Sequence, residues 1–392
     1  MIELEADRDK LLWLRMRALS FVTLIAILEM PANGLLVSRR YWFQRLALSL
    51  AGTTGLFARR QTLGTAPLVA VQDFAQYPSV MTPNADFFVR SHFAQPSIDV
   101  TSWTLRVEGA VKHPQTFHYG DLKSLKHRAL PAALECAGNG VGDGAVGCAV
   151  WSGPMLTDLL RACGLDATAR YVRFVAADRG TEPDSEGEIP YARSIAIDEA
   201  MGSETLLALQ MNGAPLPAEN GFPARLLRAG FYGMDSVKWL TKIEVLKVPD
   251  NSVFTTHRYL RDTNAISADK DNRVGPVQIK SIIVLPVEAA VIRGPAIDIG
   301  GYAWAGRERI DRVEVTTDAG KSWQRSQLLA DSQPFGWVPW KFVWDRAQLG
   351  LQTIAVRAFG ESNIAQPSTR DIARLDKYEL NHYHQVSFKV TA

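Results

Sequence analysis

The chain has 392 residues, of which 47% are hydrophobic and 21% charged, and its formal net charge at pH 7 is only +2. This length predicts two domains plus a terminal extension, and the small net charge, with no basic tract beyond the N-terminal region, argues against nucleic-acid binding. Three cysteines, Cys136, Cys148 and Cys163, contain no C-x-x-C pair, which excludes a disulfide framework and the usual spacing for zinc or c-type haem.

Residues 1–67 are predicted to be an N-terminal extension that addresses the protein. The pair Arg39-Arg40 precedes a mildly apolar run from Leu46 to Phe57, which is the order of a twin-arginine export signal. Such a signal exports folded proteins and predicts a periplasmic location; an ordinary amphipathic basic helix is the alternative. The upstream apolar run, Ala18 to Leu28, is too short to span a bilayer, although an interfacial anchor stays open. A start codon placed too early would explain residues 1–35.

Residues 68–250 are predicted to form one α+β domain. Strands are expected where β-branched and aromatic residues alternate with polar ones, and helices where an N-cap residue precedes helix formers. The predicted strands are Trp103–Gly109, Tyr171–Ala177 and shorter ones near Leu206, Arg225 and Ile243, and the predicted helices are Gly120–Leu125, Leu156–Cys163 and Ser194–Met201.

The composition turns polar over residues 251–280, which are predicted to be a connecting loop, and residues 281–392 are predicted to be an all-β sandwich. Regularly spaced strands separated by turn residues are typical of that architecture. The predicted strands are Ile282–Pro286, Ile297–Ala305, Ile310–Thr317, Trp340–Trp344 and Gln352–Phe359.

Two short segments carry candidate site residues. Cys136 lies between apolar residues and the small residues Ala137 to Gly140, so a metal or a large ligand could approach its thiolate closely. A small buried hydrophobe at the end of a strand is the alternative. Upstream, Arg90 and His92 are two residues apart, so their side chains share one face of an extended segment. That face suits a phosphate or a substrate oxyanion, although an exposed surface pair would have the same pattern.

Taken together, these two segments resemble the sulfite oxidase family of molybdopterin enzymes. The similar segments follow one another in order along the chain, so the resemblance spans about residues 70–390. They are Phe87–His92, Cys136–Asn139, Asn212–Pro217, Gly221–Arg225, Ser236–Trp239, Gly301–Trp304 and Asp318–Trp323. The resemblance implies a molybdopterin-binding domain followed by an immunoglobulin-like dimerisation domain, and therefore a homodimer.

The resemblance also implies roles for individual residues. Cys136 would ligate molybdenum, and Arg90, Tyr259 and Cys136 would be the catalytic residues. The molybdopterin cofactor would be bound by Phe88, Arg90, His92, Cys136, Asp178, Asn220, Arg225, Ser236 and Lys238. Asn220 stands where the family often has histidine, and its amide can still donate one hydrogen bond. The alternatives are a turn-forming role for Asp178, a strand-edge role for Lys238 and simple loop packing for Tyr259.

Two departures from the family pattern concern the substrate. Val141 stands where many sulfite oxidases have an arginine five residues after the cysteine. A second substrate arginine is expected ahead of the segment Asn381–His384, where Lys377 is the nearest cation and Arg374 lies further back. The pocket is therefore expected to hold fewer cations than usual, and a sulfite dianion would bind less tightly.

By resemblance, the protein would oxidise sulfite by oxygen-atom transfer and pass electrons to a separate c-type cytochrome, because the chain has no haem motif. Two alternatives stay open. One is an enzyme with the same cofactor that acts on another oxyanion or on a sulfoxide, with reduction included. The other is a non-catalytic exported binding protein with a vestigial first domain.

Overall fold

The computed structural model describes residues 80–262 and 272–392. The twin-arginine-like segment and the predicted domain start at residue 68 lie outside these residues. The described part is mostly β with a few short helices, so the predicted α+β class is not established. No helix within it is long and apolar enough to cross a bilayer. The α-helices described are Tyr119–Ser124 (α1), Leu156–Cys163 (α2), Ile197–Ala200 (α3) and Val253–Thr256 (α4).

The first part of the described chain contains three sheets. Their strands are Thr104–Gly109 (β1), Gln115–His118 (β2), His127–Glu135 (β3), Val146–Pro154 (β4), Tyr171–Gly180 (β5), Ile189–Ala196 (β6), Thr205–Ala208 (β7), Gln210–Met211 (β8), Ala214–Pro215 (β9), Arg225–Arg228 (β10) and Leu240–Leu246 (β11). The strand orders are β2-β1-β11-β5-β6, β3-β4-β8-β9 and β10-β7. Within the first sheet, β1 and β11 run parallel and the other neighbours run antiparallel.

The sequence pattern explains how these elements pack. In α2, the buried residues follow a helical spacing, so one face of the helix joins the core. The helix ends at Gly164, whose φ of 66° is the left-handed conformation that glycine adopts without strain. In β5, alternate residues from Val172 to Asp178 are buried, which places the Asp178 carboxyl on the inward face of the sheet.

The predicted helix Ser194–Met201 is wrong in its first half. Ser194 and its neighbours form the end of β6, and only Ile197–Ala200 is helical. The buried guanidinium of Arg193 lies 2.7 Å from the Asp235 carboxylate, and Ile195 packs into the core. These tertiary contacts favour the extended backbone over the local helix propensity of this segment.

The C-terminal part contains two sheets. The strands are Lys280–Leu285 (β12), Val291–Arg293 (β13), Ile297–Trp304 (β14), Ile310–Thr316 (β15), Gln324–Arg325 (β16), Gln327–Leu328 (β17), Trp337–Trp344 (β18), Gly350–Gly360 (β19) and His384–Thr391 (β20). Their orders are β12-β14-β18-β17 and β13-β20-β19-β15-β16. Both sheets contribute side chains to one apolar core that includes Trp340 and Phe388. The immunoglobulin-like topology and the domain boundaries stay predictions.

A buried polar cluster joins the end of β3 to the C-terminal sheet that contains β12 and β14. The Glu135 carboxylate is buried and forms an ion pair with the Lys280 ammonium. It also accepts hydrogen bonds from Trp304 Nε1 at 2.9 Å and from Asn139 Nδ2 at 3.1 Å. Because Glu135 directly precedes Cys136, this cluster fixes the position at which the cysteine leaves its strand.

Candidate active site

One cavity of about 270 Å³ collects the residues that the sequence singled out. Segments distant in the chain converge on it because β3 and β5 end near its wall and β10 begins there. The predicted residues that line it are Phe88, Arg90, His92, Cys136, Asp178, Asn220, Arg225, Ser236, Lys238 and Tyr259. The structure therefore brings every predicted site residue together.

Cys136 occupies a tight loop at one end of the cavity. Its backbone N–H donates to Ala145 O at 2.9 Å, and its carbonyl accepts from Asn139 N at 2.9 Å. The Asn139 side-chain oxygen accepts from Ala145 N at 2.9 Å, which closes the loop from the inside. Burial raises the pKa of the Cys136 thiol, and the nearby charge of Arg90 opposes that effect. Since the thiolate is the ligating form, a metal would have to displace the proton on binding.

Arg90 and His92 lie beside the cysteine on an extended segment, and both are open to the cavity. The imidazole of His92 stacks on Tyr191 with ring centroids 5.0 Å apart. Its Nε2 is hydrogen-bonded to the hydroxyl of Tyr259. Desolvation by the surrounding protein, followed by the charge of Arg90, lowers the pKa of His92 to about 4. The ring is therefore neutral at neutral pH, and it orients Tyr259 without adding positive charge.

Tyr259 has a backbone φ of 56°, which is rare for a residue other than glycine. Such conformations persist where the surrounding structure imposes them, and they cluster at functional sites. Burial raises the pKa of the Tyr259 hydroxyl. Tyr259 is therefore a protonated, oriented hydrogen-bond donor at the cysteine end of the cavity.

Arg225 is a buried cation in the part of the cavity away from Cys136: the charges that act on Cys136 are those of Arg90, Glu135 and Lys280, whereas Arg225 acts on Lys238. Its Nη1 donates to Asn220 O at 2.9 Å and its Nη2 to Ser236 O at 2.8 Å. No ion pair to a carboxylate is found for it within the described residues, and desolvation lowers its pKa to about 9. By contrast, Arg228 on the same strand lies 2.7 Å from the Asp235 carboxylate. Arg225 is thus placed for an anion that the protein itself does not supply.

Lys238 and Asp178 flank this end. Lys238 Nζ donates to Ser91 Oγ at 2.7 Å and to Glu219 O at 2.7 Å. Burial, followed by the charge of Arg225, lowers the pKa of Lys238 to about 7. Burial also raises the pKa of Asp178 to about 6. Burial thus disfavours the charged form of each group where it faces the cavity.

Three buried polar atoms lining the cavity have no hydrogen-bond partner within the described residues: Arg225 Nε, Asn220 Oδ1 and Asp178 Oδ1. Buried polar atoms are nearly always paired in folded proteins, and a ligand in the cavity that both donates and accepts hydrogen bonds would pair these three. A pterin with a phosphate group fits, because its amino and ring nitrogens match the oxygens and its phosphate matches the buried Arg225.

The same residues also bear on a metal. The described residues contain no group of three or more His, Cys, Asp or Glu that could hold a metal ion alone. A metal at Cys136 would therefore depend on further ligands that the cofactor brings. A single soft thiolate beside a pterin-sized cavity is consistent with that arrangement.

Some cavity residues were missed by the sequence reasoning. Tyr378, Tyr191 and Asp143 also line it. Tyr378 belongs to the C-terminal part of the chain, and no local pattern distinguishes it. Asp143 follows the cysteine motif closely, and its position in that turn was an available signal.

The two suggested replacement cations do not line the cavity. Arg374 forms ion pairs with Asp376 at 2.7 Å and with Glu379 at 3.0 Å. Lys377 is exposed and is not among the residues that line the cavity. Val141 lines a separate cleft beside the C-terminal sheets. Neither suggested replacement therefore adds a cation to the cavity, and the expectation of a pocket with few cations stays a prediction.

Comparison with known proteins shows two matching families in sequence order. Residues 92–254 match the oxidoreductase molybdopterin binding domain, and residues 273–391 match the Mo-co oxidoreductase dimerisation domain. The mitochondrial sulfite oxidase of Drosophila melanogaster is 31% identical over 345 residues, which cover 79% of this chain and 59% of that protein. The sulfite oxidase of Arabidopsis thaliana is 29% identical, with 80% of this chain and 89% of that protein covered.

Other similar proteins are named for different substrates. A nitrate reductase [NAD(P)H] of Hordeum vulgare is 32% identical over 73% of this chain and 37% of its own length. The chain thus spans about three fifths of the Drosophila sulfite oxidase and a smaller share of the nitrate reductase. Among solved structures, the sulfane dehydrogenase SoxCD from Paracoccus pantotrophus matches with a TM-score of 0.70 and 24% identity, covering 80% of this chain and 84% of that one. This match shows a shared fold.

Proposed function

The chain belongs to the sulfite oxidase family of molybdenum-cofactor oxidoreductases, and from that premise we propose that it oxidises sulfite to sulfate. The observation that carries the proposal is that two parts of the cavity differ in their chemistry. Of the described residues that line the cavity, Cys136 is the only cysteine, and Arg225, a buried arginine without a carboxylate partner among the described residues, lies away from it beside Lys238. This arrangement suits a cofactor with a soft metal at one end, for the thiol, and a phosphate at the other, for the arginine.

Under this proposal, one group of residues binds the cofactor and a second group binds the substrate. Cys136 ligates the metal, and Arg225 binds the terminal phosphate with help from Lys238. Asp178, Asn220 and Ser236 form hydrogen bonds to the pterin, and Phe88 and His92 form the cavity wall beside it. When bound, the molybdenum cofactor supplies two-electron oxygen-atom transfer.

The protein's own contribution at the substrate end comes from Arg90 and Tyr259. The Arg90 guanidinium is open to the cavity and binds substrate oxygens by charge-assisted hydrogen bonds. Tyr259 would donate a hydrogen bond from its hydroxyl to a substrate oxygen, while His92, with its proton on Nε2, would donate to the same hydroxyl and hold it in place. Overall, sulfite and water give sulfate, two protons and two electrons. The electrons leave singly to a c-type cytochrome, which is the proposed partner.

A second candidate is a same-cofactor enzyme that acts on a sulfoxide or on another oxyanion. Its support is the charge of the cysteine end, where Arg90 and the Asp143 carboxylate both line the wall and His92 is neutral. Arg374 and Arg258, on neighbouring segments, are already paired with carboxylates. An end with so little net positive charge would bind an uncharged or singly charged substrate with less loss of solvation than a dianion.

Two further proposals concern the location and assembly of the enzyme. We propose that the pair Arg39-Arg40 directs export to the periplasm through the twin-arginine pathway, on the strength of the sequence order alone. We also propose that residues 281–392, with an immunoglobulin-like topology, pair two copies of the chain. The match of this region to a dimerisation domain supports that assembly.

Steady-state turnover of molybdenum-replete protein with sulfite and cytochrome c tests the substrate. Arg90→Met should raise KM for sulfite about ten- to a hundredfold, which is the worth of one charge-assisted hydrogen bond, at least as strongly as it lowers kcat. Lys377→Met is the matched control, since that cation does not line the cavity, and it should leave KM unchanged. Equal KM in Arg90→Met and wild type, or no sulfite turnover by replete protein, would favour the second candidate.

A further inference from the structure

A segment from the C-terminal part of the chain, residues 374–380, crosses the loop that carries the cysteine. The backbone N–H of Glu379 donates to Ala137 O at 3.0 Å, one residue after Cys136. This contact brings the side chain of Tyr378 into the wall of the cavity. The substrate end is therefore built from both parts of the chain.

Ion pairs hold this segment in place. The backbone N–H of Tyr378 donates to Asp376 Oδ1 at 2.8 Å, and the Asp376 carboxylate is in turn bound by Arg374. The buried Glu379 carboxylate pairs with Arg261 at 2.7 Å. Glu379 has a φ of 56°, which only strong local contacts maintain in a residue other than glycine. The position of Tyr378 is thus imposed by its surroundings.

Tyr378 and Tyr259 form a pair at the cysteine end. Their ring centroids lie 5.5 Å apart with an interplanar angle of 43°. A tyrosine hydroxyl ordinarily titrates near pH 10, so both hydroxyls are protonated at neutral pH and able to donate hydrogen bonds. Since both side chains line the same cavity as Arg90 and Cys136, they face the space where a substrate would lie.

The two arginines that hold the segment of Tyr378 in place are both paired with carboxylates. Arg374 is bound by Asp376 and Glu379, and Arg261 is bound by Glu379. These guanidinium groups support the segment from behind, and neither lines the cavity. The segment thus presents a hydroxyl where an arginine was expected.

We propose that Tyr378 is a second hydroxyl donor to the substrate, which makes it a specificity-determining residue supplied by the C-terminal part of the chain. The ligand class is a small sulfur oxyanion, whose oxygens are bound by Arg90 and by two phenol hydroxyls. This inference rests on the proposed function, because it assigns the same cavity end to substrate. It adds a residue that neither the cysteine motif nor the Arg90 segment contains.

The test uses molybdenum-replete holoenzyme in three forms: wild type, Tyr378→Phe and Tyr383→Phe. Tyr383 is a matched control because it lies in the same C-terminal region but packs on Trp323, with ring centroids 5.2 Å apart. Calorimetric titration of the resting enzyme with sulfate, the product oxyanion, should show a Kd about tenfold weaker in Tyr378→Phe. The control should match wild type, and the Tm values of all three should agree. In turnover with sulfite, KM should rise more than kcat falls in Tyr378→Phe.

The outcomes are separable. Equal sulfate affinity in Tyr378→Phe and wild type would overturn the assignment, as would an equal loss in the Tyr383→Phe control. Replete wild type that binds no sulfate would overturn it too, while leaving a molybdenum enzyme for another substrate in place. Failure of the proposed function would appear separately, as molybdenum-replete wild type that does not turn over sulfite with cytochrome c.

Discussion

Arg225 and Arg228 offer a paired test of what the cavity binds, because they lie three residues apart on β10 and differ in their partners. Both are buried, at 5% and 6% exposure. Arg228 pairs with Asp235 and Glu199, whereas Arg225 donates to two backbone carbonyls and lies over the Trp151 ring, 5.0 Å from its centroid. Arg225→Met should leave the cofactor-free protein as stable as wild type or more stable. Arg228→Met should destabilise it.

The magnitudes follow from the contacts. The pKa of Arg225 falls from 12.5 to about 9, which at 1.36 kcal/mol for each pKa unit is about 5 kcal/mol against the buried cation. Loss of its two hydrogen bonds costs about 1 to 3 kcal/mol each, so the two contributions nearly cancel. Removing Arg228 leaves the buried Asp235 with one partner fewer, which costs about 3 to 5 kcal/mol.

For cofactor binding, we expect Arg225→Met to have the larger effect of the two substitutions. Two charge-assisted hydrogen bonds from Arg225 to a phosphate are worth about 1.5 to 3 kcal/mol each, so Arg225→Met should weaken pterin binding by roughly two to four powers of ten. Calorimetric unfolding of cofactor-free protein and pterin content after purification measure the two effects. A cofactor-free Arg225→Met that unfolds many degrees below wild type, or one that retains its pterin, would refute the assignment of Arg225 to an anion.

Three other perturbations extend the account. The pKa of Lys238 is lowered from 10.5 to about 7 on folding. Its contribution to the free energy of unfolding is therefore fully present above pH 10.5 and is lost as pH falls through 7. Lys238→Met should make the Tm of cofactor-free protein depend less on pH over that range, and an unchanged slope of Tm against pH would contradict this. Lys280→Met should destabilise the protein by about 3 to 5 kcal/mol in chemical denaturation, because it leaves the Glu135 carboxylate buried without its cation; additional replacement of Glu135 by Gln should recover part of the loss, and no recovery would argue against the pair. Replacing Arg39-Arg40 with two lysines should leave the protein in the cytoplasm of a bacterium that has the twin-arginine pathway, as cell fractionation would show; unchanged export would refute the signal.

Much of the site could be predicted because its residues lie in short contiguous segments. Arg90 and His92 share a face of one extended stretch, and Cys136 sits in a turn of small residues, so local sequence carries both signals. Arg225 could be assigned only through the family resemblance. The property that distinguishes it, the absence of a carboxylate partner among the described residues, depends on packing that spacing does not reveal.

The residues that escaped prediction depend on contacts between distant segments. Tyr378 reaches the cavity through the bond between Glu379 and Ala137, and nothing around it in sequence predicts that contact. The same reason explains the incorrect helix at Ser194, where Asp235 holds the neighbouring Arg193 in a strand. Short strands at sheet edges, such as Val291–Arg293, were also missed because three residues give too little alternation to identify.

X-ray absorption at the molybdenum edge, on wild type and Cys136→Ser, tests the central claim that Cys136 holds a molybdenum cofactor in this cavity. The variant should keep its pterin, because the phosphate and pterin contacts lie at the other end of the cavity. The account predicts a molybdenum signal in both proteins, with one sulfur neighbour fewer in the variant. Identical sulfur shells in the two proteins, or wild type without molybdenum, would contradict it.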